Sequence, residues 1–276
     1  MKVDFNKYVK IISRQPKPFR FIASRVFKHT GLWRFFKVQR PGYKLYLHPA
    51  ALSMSLWVNG NDRDEDSDVL RSILKPGDCF VDVGANIGHL SIEASKLVGP
   101  TGRVTAFEAH PRTAGFLRDN IRLNKSDNIQ VAQAAIGNSL GWLHFSDSSA
   151  DDQNNVQKSG PIVVPVLTLD VLCADEKITL LKIDVEGYEK FVFEGAGKTL
   201  QNTKFIYFEA WDAHFKKYGY SFAEIYNLLV GLGFYIGHIS HHELKEIKAS
   251  AVLPECINLL AYRSAEELRA RTETAH

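Results

Sequence analysis

The chain has 276 residues, of which 45% are hydrophobic and 24% charged, and a formal net charge of +3. Such a composition fits a globular chain with a large core, and no apolar run approaches the ~20 residues that span a bilayer. Cys79, Cys173 and Cys256 are odd in number, far apart and without a Cys-x-x-Cys pair, which excludes a disulfide framework or zinc ribbon and suggests reduced thiols.

Residues 1–40 hold eleven Lys/Arg and one acid, Asp4, so the remainder carries a net −7. Phe5, Tyr8, Phe19, Phe21, Phe27, Trp33, Phe35 and Phe36 are interleaved with these cations. The segment reads either as an arm packed on the main domain or as a contact for an anionic membrane surface. Met1 to Arg20 lacks the apolar centre of a signal peptide, so the expected location is cytoplasmic, with the inner membrane face open to the arm. No nucleic-acid-binding module is recognisable. The alternation Tyr43-Lys44-Leu45-Tyr46-Leu47 predicts a small hairpin, which closes an N-terminal unit of residues 1–60.

Residues 61–276 read as one α/β domain. An amphipathic helix is expected over 62–74, ending before Lys75-Pro76-Gly77. Strands follow at 79–83, 104–108, 129–136, 179–185 and 205–209. Helices are expected at 87–97, 112–123, 189–200 and 222–232, with a short helical piece at 169–173 and an inserted hairpin at 142–166. Ser146 to Gly160 is polar and turn-rich, as in lid loops. The end departs from this alternation, with two strands at 234–239 and 257–262. The order predicts a mainly parallel, Rossmann-like sheet closing with an antiparallel pair.

The first strand leads into Val81-Asp82-Val83-Gly84-Ala85-Asn86-Ile87-Gly88-His89. Gly84 permits a tight turn off the strand, and Gly88 would let the first helical turn approach a ligand. Glu108 ends the next strand, 20 residues after Gly88, where a carboxylate can accept both ribose hydroxyls. Together they indicate an adenosine-containing cofactor. The dinucleotide pattern Gly-x-Gly-x-x-Gly has Asn86 in place of its middle glycine. Asp82 would repel a pyrophosphate but tolerate a cationic methionine moiety, which favours S-adenosylmethionine over NAD.

These blocks resemble the FkbM-type methyltransferases. The matching pieces are Lys75-Pro76-Gly77-Asp78 with Val81 to Gly88, Phe107-Glu108-Ala109-His110-Pro111, Asn120-Ile121-Arg122-Leu123-Asn124, Ala135-Ile136-Gly137-Asn138, and Thr168-Leu169-Asp170 followed by Leu181-Lys182-Ile183-Asp184-Val185-Glu186-Gly187-Tyr188-Glu189. His110 departs from the family, which more often has Pro-Asn after the glutamate. The resemblance implies a class I methyltransferase with a seven-stranded sheet whose last strand is antiparallel. It also implies O-methylation of sugars, polysaccharides or polyketide-like natural products. The cofactor would be held by Asp82, Gly84, Ala85, Asn86, Gly88, Glu108, Ala135 and Asp184.

A sugar hydroxyl needs a base or a metal before it attacks a methyl carbon. Glu209 leaves the apolar strand Phe205 to Phe208, where a raised pKa is expected, and His214 titrates near neutrality; either is a candidate base. Asp184 is expected near the methionine end of the cofactor. Asp184, Glu209 and Asp212 could instead hold Mg or Ca, although no metal is the favoured reading. Glu186 and Glu189 suit a helix start, and His238, His241 and His242 read as a loop over the acceptor pocket. A cofactor-binding protein without turnover and an NAD-dependent dehydrogenase are the competing classes.

Overall fold

The computed structural model describes residues 17–145, 156–157, 159–240 and 243–273. In chain order the elements are helix α1 (Pro18–Thr30), strands β1 (Lys37–Arg40) and β2 (Tyr43–Tyr46), and helices α2 (Ala51–Val58) and α3 (Asp64–Ile73). Next come β3 (Cys79–Val83), α4 (His89–Val98), β4 (Arg103–Phe107), α5 (Pro111–Asn124), β5 (Ile129–Ala132), β6 (Ala135–Ile136), β7 (Gly141–Phe145), β8 (Val156–Gln157) and β9 (Ile162–Leu167). The second half comprises α6 (Leu169–Cys173), β10 (Ile178–Ile183), α7 (Glu189–Glu194), α8 (Gly197–Gln201), β11 (Thr203–Ala210), α9 (Asp212–Lys217), α10 (Phe222–Gly231), β12 (Tyr235–Ser240), β13 (Glu243–Glu246), β14 (Ile257–Tyr262) and α11 (Ala265–Thr272).

The main sheet runs β13-β12-β14-β11-β10-β3-β4-β5. Its centre, β5 to β11, is parallel, and β14 enters antiparallel between β11 and β12. β3 and β10 are buried along their whole length because helices cover both faces, which explains why they are mostly apolar, with Asp82 and Lys182 as the charged exceptions. One face packs Val81, Leu181, Ile183 and Phe208 against α7 and α10. The other packs Phe80, Leu180 and Phe205 against α3 and α4. A parallel sheet of this kind gathers its strand ends on one edge, and that edge carries the site.

The sequence pattern misses some particulars. Among the described residues the sheet has eight strands, not seven, because β13 adds antiparallel to β12 and forms a short edge strand with Lys245 and Glu246 exposed. The expected strand 129–136 divides: β5 stays in the main sheet, while β6 pairs with β9 in a second, four-stranded sheet. The expected helix 189–200 breaks at Gly195, where a Cβ would stand 2.1 Å from the Gly137 carbonyl oxygen. Asp170 then caps the new helix α8 by accepting from Lys198 N and Thr199 N. The predicted hairpin near residue 43 is present as β1–β2, and it shares a core with the main domain: Tyr43, Leu45 and Leu47 pack with Ile87 and Ile92. Asn120 and Asn124 of α5 bind the β2 backbone at Tyr46 N (2.7 Å) and Lys44 N (3.0 Å). Most of the 146–160 loop, His241 and His242, and residues 1–16 of the basic arm lie outside the described residues. No helix among the described residues is long and apolar enough to cross a membrane.

Candidate active site

A cavity of about 280 Å³ opens at the carboxyl ends of β3, β4, β10 and β11. Its first wall is the turn after β3. Gly84 has φ +82°, and a Cβ there would lie 1.9 Å from the Asp184 carbonyl oxygen, so only glycine lets the ends of β3 and β10 meet. The turn satisfies its own donors: Gly84 N and Ala85 N donate to the Phe107 carbonyl, and Gly88 N donates to Ala85 O. Asn86, with φ +50°, donates its N–H to Glu108 Oε2 (2.9 Å). The other Glu108 oxygen accepts from His110 N (2.9 Å). The carboxylate is thereby fixed at the cavity wall.

Of the sequence-derived cofactor residues, Asp82, Gly84, Ala85, Asn86, Glu108, Ala135 and Asp184 line the cavity. Gly88 does not. Its missing side chain makes room for Leu117, whose Cδ1 a Cβ would approach to 2.4 Å. Asp82 also differs from expectation. It is buried, accepts from Ser91 Oγ (2.6 Å) and pairs with Lys182 Nζ at 3.3 Å, so its charge is already matched within the protein.

Lys182 is the largest omission of the sequence reading. Its ammonium is buried between Asp82 and Asp184, the latter at 3.5 Å, and also faces the Gly84 carbonyl at 3.5 Å. Burial works against the charge, but the carboxylates of Asp82, Asp184 and Asp66 overcome it and hold Lys182 above the ordinary lysine range. A lysine inside the apolar run Ile178 to Ile183 was the visible signal, since such charges are buried only with partners.

His89 is a second omission. It lines the cavity, is buried, and shares a hydrogen bond between Nδ1 and Tyr43 Oη at 2.6 Å, while its Nε2 has no partner among the described residues. Tyr43 in turn meets Glu93, which Ser67 and Arg71 also bind. Burial holds the His89 pKa down at about 3, so the ring is neutral. The N-terminal hairpin thus reaches the cavity through Tyr43.

At the far side, Glu209 Oε2 accepts from His214 Nδ1 (3.2 Å), and Glu209 Oε1 accepts from the Cys256 thiol (2.9 Å). Burial pushes the Glu209 carboxyl up, but these two hydrogen bonds outweigh it and leave the group below the ordinary range. The raised pKa expected for Glu209 is therefore corrected. Asp184 carries that property instead: burial and the Glu209 charge raise it against the pull of Lys182. His214 sits behind Glu209, with Nε2 3.6 Å from Glu186 Oε2.

Glu186, Glu209 and His214 bring ligand atoms within 4.8 Å of one another, which a cation could bridge. The alternative set of Asp184, Glu209 and Asp212 is not assembled, because Asp212 accepts from Leu253 N (3.1 Å). Glu189 is fully buried and braces the preceding loop, accepting from Val185 N and Gly187 N at 3.1 Å each. His110 is buried at the start of α5, where its Nδ1 accepts from Arg112 N. His238 lies on β12, away from the cavity lining.

The parallel sheet with an antiparallel strand between its last two, and an acid closing the second strand, define a class I methyltransferase fold. The family model described as "Methyltransferase FkbM domain" matches residues 82–236, so the chain belongs to the FkbM methyltransferase family. It is 29% identical over 158 residues to the 2-O-methyltransferase NoeI of Sinorhizobium fredii, covering 49% of this chain and 64% of that protein. It is 29% identical over 153 residues to the hexuronic acid methyltransferase AglP of Haloferax volcanii, covering 52% and 62%. The chain thus spans less than two thirds of either relative. A crystal structure of methyltransferase FkbM from Methylobacillus flagellatus aligns with a TM-score of 0.45 and 16% identity, covering 76% of this chain and 54% of that one.

Proposed function

We propose that the protein transfers a methyl group from S-adenosylmethionine to a hydroxyl oxygen of a sugar, polysaccharide or glycosylated natural product. The observation that carries this reading is one cavity with Glu108 on one wall and Glu209, hydrogen-bonded to His214 behind it, on the other. Among the described residues, seven carboxyl groups line it against two cations, Arg63 and Lys182, a balance that suits a positively charged cofactor. The relatives' names support this reading: NoeI is a 2-O-methyltransferase, which favours a hydroxyl oxygen, and AglP a hexuronic acid methyltransferase, which favours a carbohydrate acceptor.

When bound, S-adenosylmethionine supplies an electrophilic methyl carbon. The chain's own residues supply alignment and a proton sink. Glu108, oriented by Asn86 N and His110 N, accepts the ribose hydroxyls. His89 Nε2 offers a hydrogen bond to a polar group in the cavity. Glu209 accepts from His214 Nδ1 and so fixes the tautomer of His214, leaving Nε2 basic. His214 Nε2, beside Glu186, is then the atom that takes the proton of the acceptor hydroxyl as its oxygen attacks the methyl carbon. A second reading rests on the same trio: a divalent cation on Glu186, Glu209 and His214 would acidify the acceptor hydroxyl directly.

The test is transfer of labelled methyl groups to a panel of hexoses, hexuronic acids and glycans, with and without chelator. Label in a base-stable ether is the expected product. A base-labile ester would move the acceptor from hydroxyl to carboxylate, and no label on any glycan would refute the substrate class. Loss of transfer on chelation, restored by one divalent ion, would favour the metal reading.

A further inference from the structure

Helix α1 has two unlike sides. On the inner side Ser24 is buried, and Phe27 stacks on Phe36 (ring centroids 4.6 Å) and leans on Trp57 of α2 (5.4 Å). Arg20 ties the two helices by donating to the Trp57 carbonyl (3.2 Å). On the outer side Phe19, Ile22 and Val26 recur at the spacing of one helical face, and all three are exposed, Phe19 to 88%. The turn that follows adds Leu32 and Phe35, the latter 79% exposed. Single exposed apolar residues are ordinary on a protein surface, but five within seventeen positions are not.

The charges around this face have one sign. Between Asp4 and Asp62 the sequence holds eleven Lys/Arg and no acid. Arg25 lies over the Phe21 ring and Arg34 over the Trp33 ring, so aromatic surface and cation are presented together. A helix with an apolar face, low mean hydropathy and cations at its flanks is the pattern of segments that lie in a bilayer interface. A second copy of the chain is a poor occupant, because a symmetric contact would set one cationic segment against another.

We propose that the exposed face of α1 and the turn after it docks on an anionic lipid surface. Phe19, Ile22, Val26 and Phe35 enter the boundary between headgroups and acyl chains, and the surrounding Lys and Arg side chains meet the lipid anions. Docking of this kind is independent of the reaction assigned to the cavity. It does place the cavity close to the membrane, since α1 packs on α2, and Ala51, Leu52 and Ser55 of α2 line the cavity. The two packed helices, each about 10 Å across, lie between them.

The experiment is co-sedimentation of the full chain with vesicles of phosphatidylcholine alone or mixed with phosphatidylglycerol. The wild type should pellet with the mixed vesicles only and release as salt is raised. Replacing Phe19, Ile22 and Val26 together by Gln leaves the charge unchanged and should weaken pelleting by about tenfold or more. Arg25→Gln and Arg34→Gln should each weaken it about fivefold. Thermal midpoints close to the wild type would show that the variants are folded. Equal pelleting with neutral and anionic vesicles, or a triple variant that pellets like the wild type, would overturn the proposal. So would a dimer in sedimentation velocity that the triple variant abolishes in the absence of vesicle binding, which would assign the face to a second copy.

Discussion

Replacing Lys182 by Met tests whether the centre of the site is held by a buried charge triad. The substitution keeps the volume of the side chain and removes its charge. Asp82 is 1% exposed and would then keep one partner, Ser91 Oγ at 2.6 Å, while Asp184 would lose its nearest cation. Breaking a buried pair by removing one partner costs about 3–5 kcal/mol. For a chain of this size that corresponds to a fall in the thermal midpoint of about 10 °C. The double variant Asp82→Asn with Lys182→Met removes both charges and keeps an acceptor for Ser91, so much of the loss should return. Urea denaturation of the wild type, both singles and the double gives the coupling energy, expected at about 2 kcal/mol or more. Additive losses in the double variant, or a Lys182→Met protein as stable as the wild type, would refute the triad.

Other predictions follow from the same geometry. Burial raises the Glu189 carboxyl to about 7, above its unfolded value, so the folded state holds the proton longer and stability declines as pH rises from about 4.5 toward 7. Glu189→Gln should flatten that decline, and a variant whose midpoint keeps the wild-type pH dependence would exclude Glu189 as its source. His48, stacked on Phe116, is held down at about 4 by burial, which makes the folded state the poorer proton binder and removes stability as pH falls from about 6.5 to 4. His48→Phe should soften this acid limb in a pH series of thermal melts; an unchanged limb would contradict the assignment. Glu209→Gln and His214→Ala should leave cofactor affinity within about twofold while slowing transfer by about a hundredfold or more. Normal turnover in both would remove the pair from the mechanism.

The order of strands and helices was legible because apolar runs and their punctuation are local signals. Positions where the chain responds to a distant segment were not. Gly195 breaks a helix because of the Gly137 carbonyl, and β6 leaves its strand to pair with β9; neither partner is visible in the local pattern. At the site, Asp82, Glu108 and Asp184 were placed by their positions at strand ends. Lys182 and His89 were passed over: the lysine in an apolar strand signalled a buried charge but not its partners, Asp82 and Asp184, and the histidine after a glycine gains meaning only from Tyr43. The pKa expected for Glu209 failed for a related reason. Burial was anticipated, whereas the hydrogen bonds from His214, five residues on, and Cys256, 47 residues on, were not.

Calorimetric titration of the full chain with S-adenosylmethionine, with NAD in parallel and Glu108→Ala as control, tests the central claim most directly. The account predicts binding of S-adenosylmethionine alone, weakened about tenfold or more in the variant, whose methyl side chain can neither accept ribose hydroxyls nor hold Asn86 N. Binding of NAD in its place, or an affinity for S-adenosylmethionine that Glu108→Ala leaves unchanged, would contradict it.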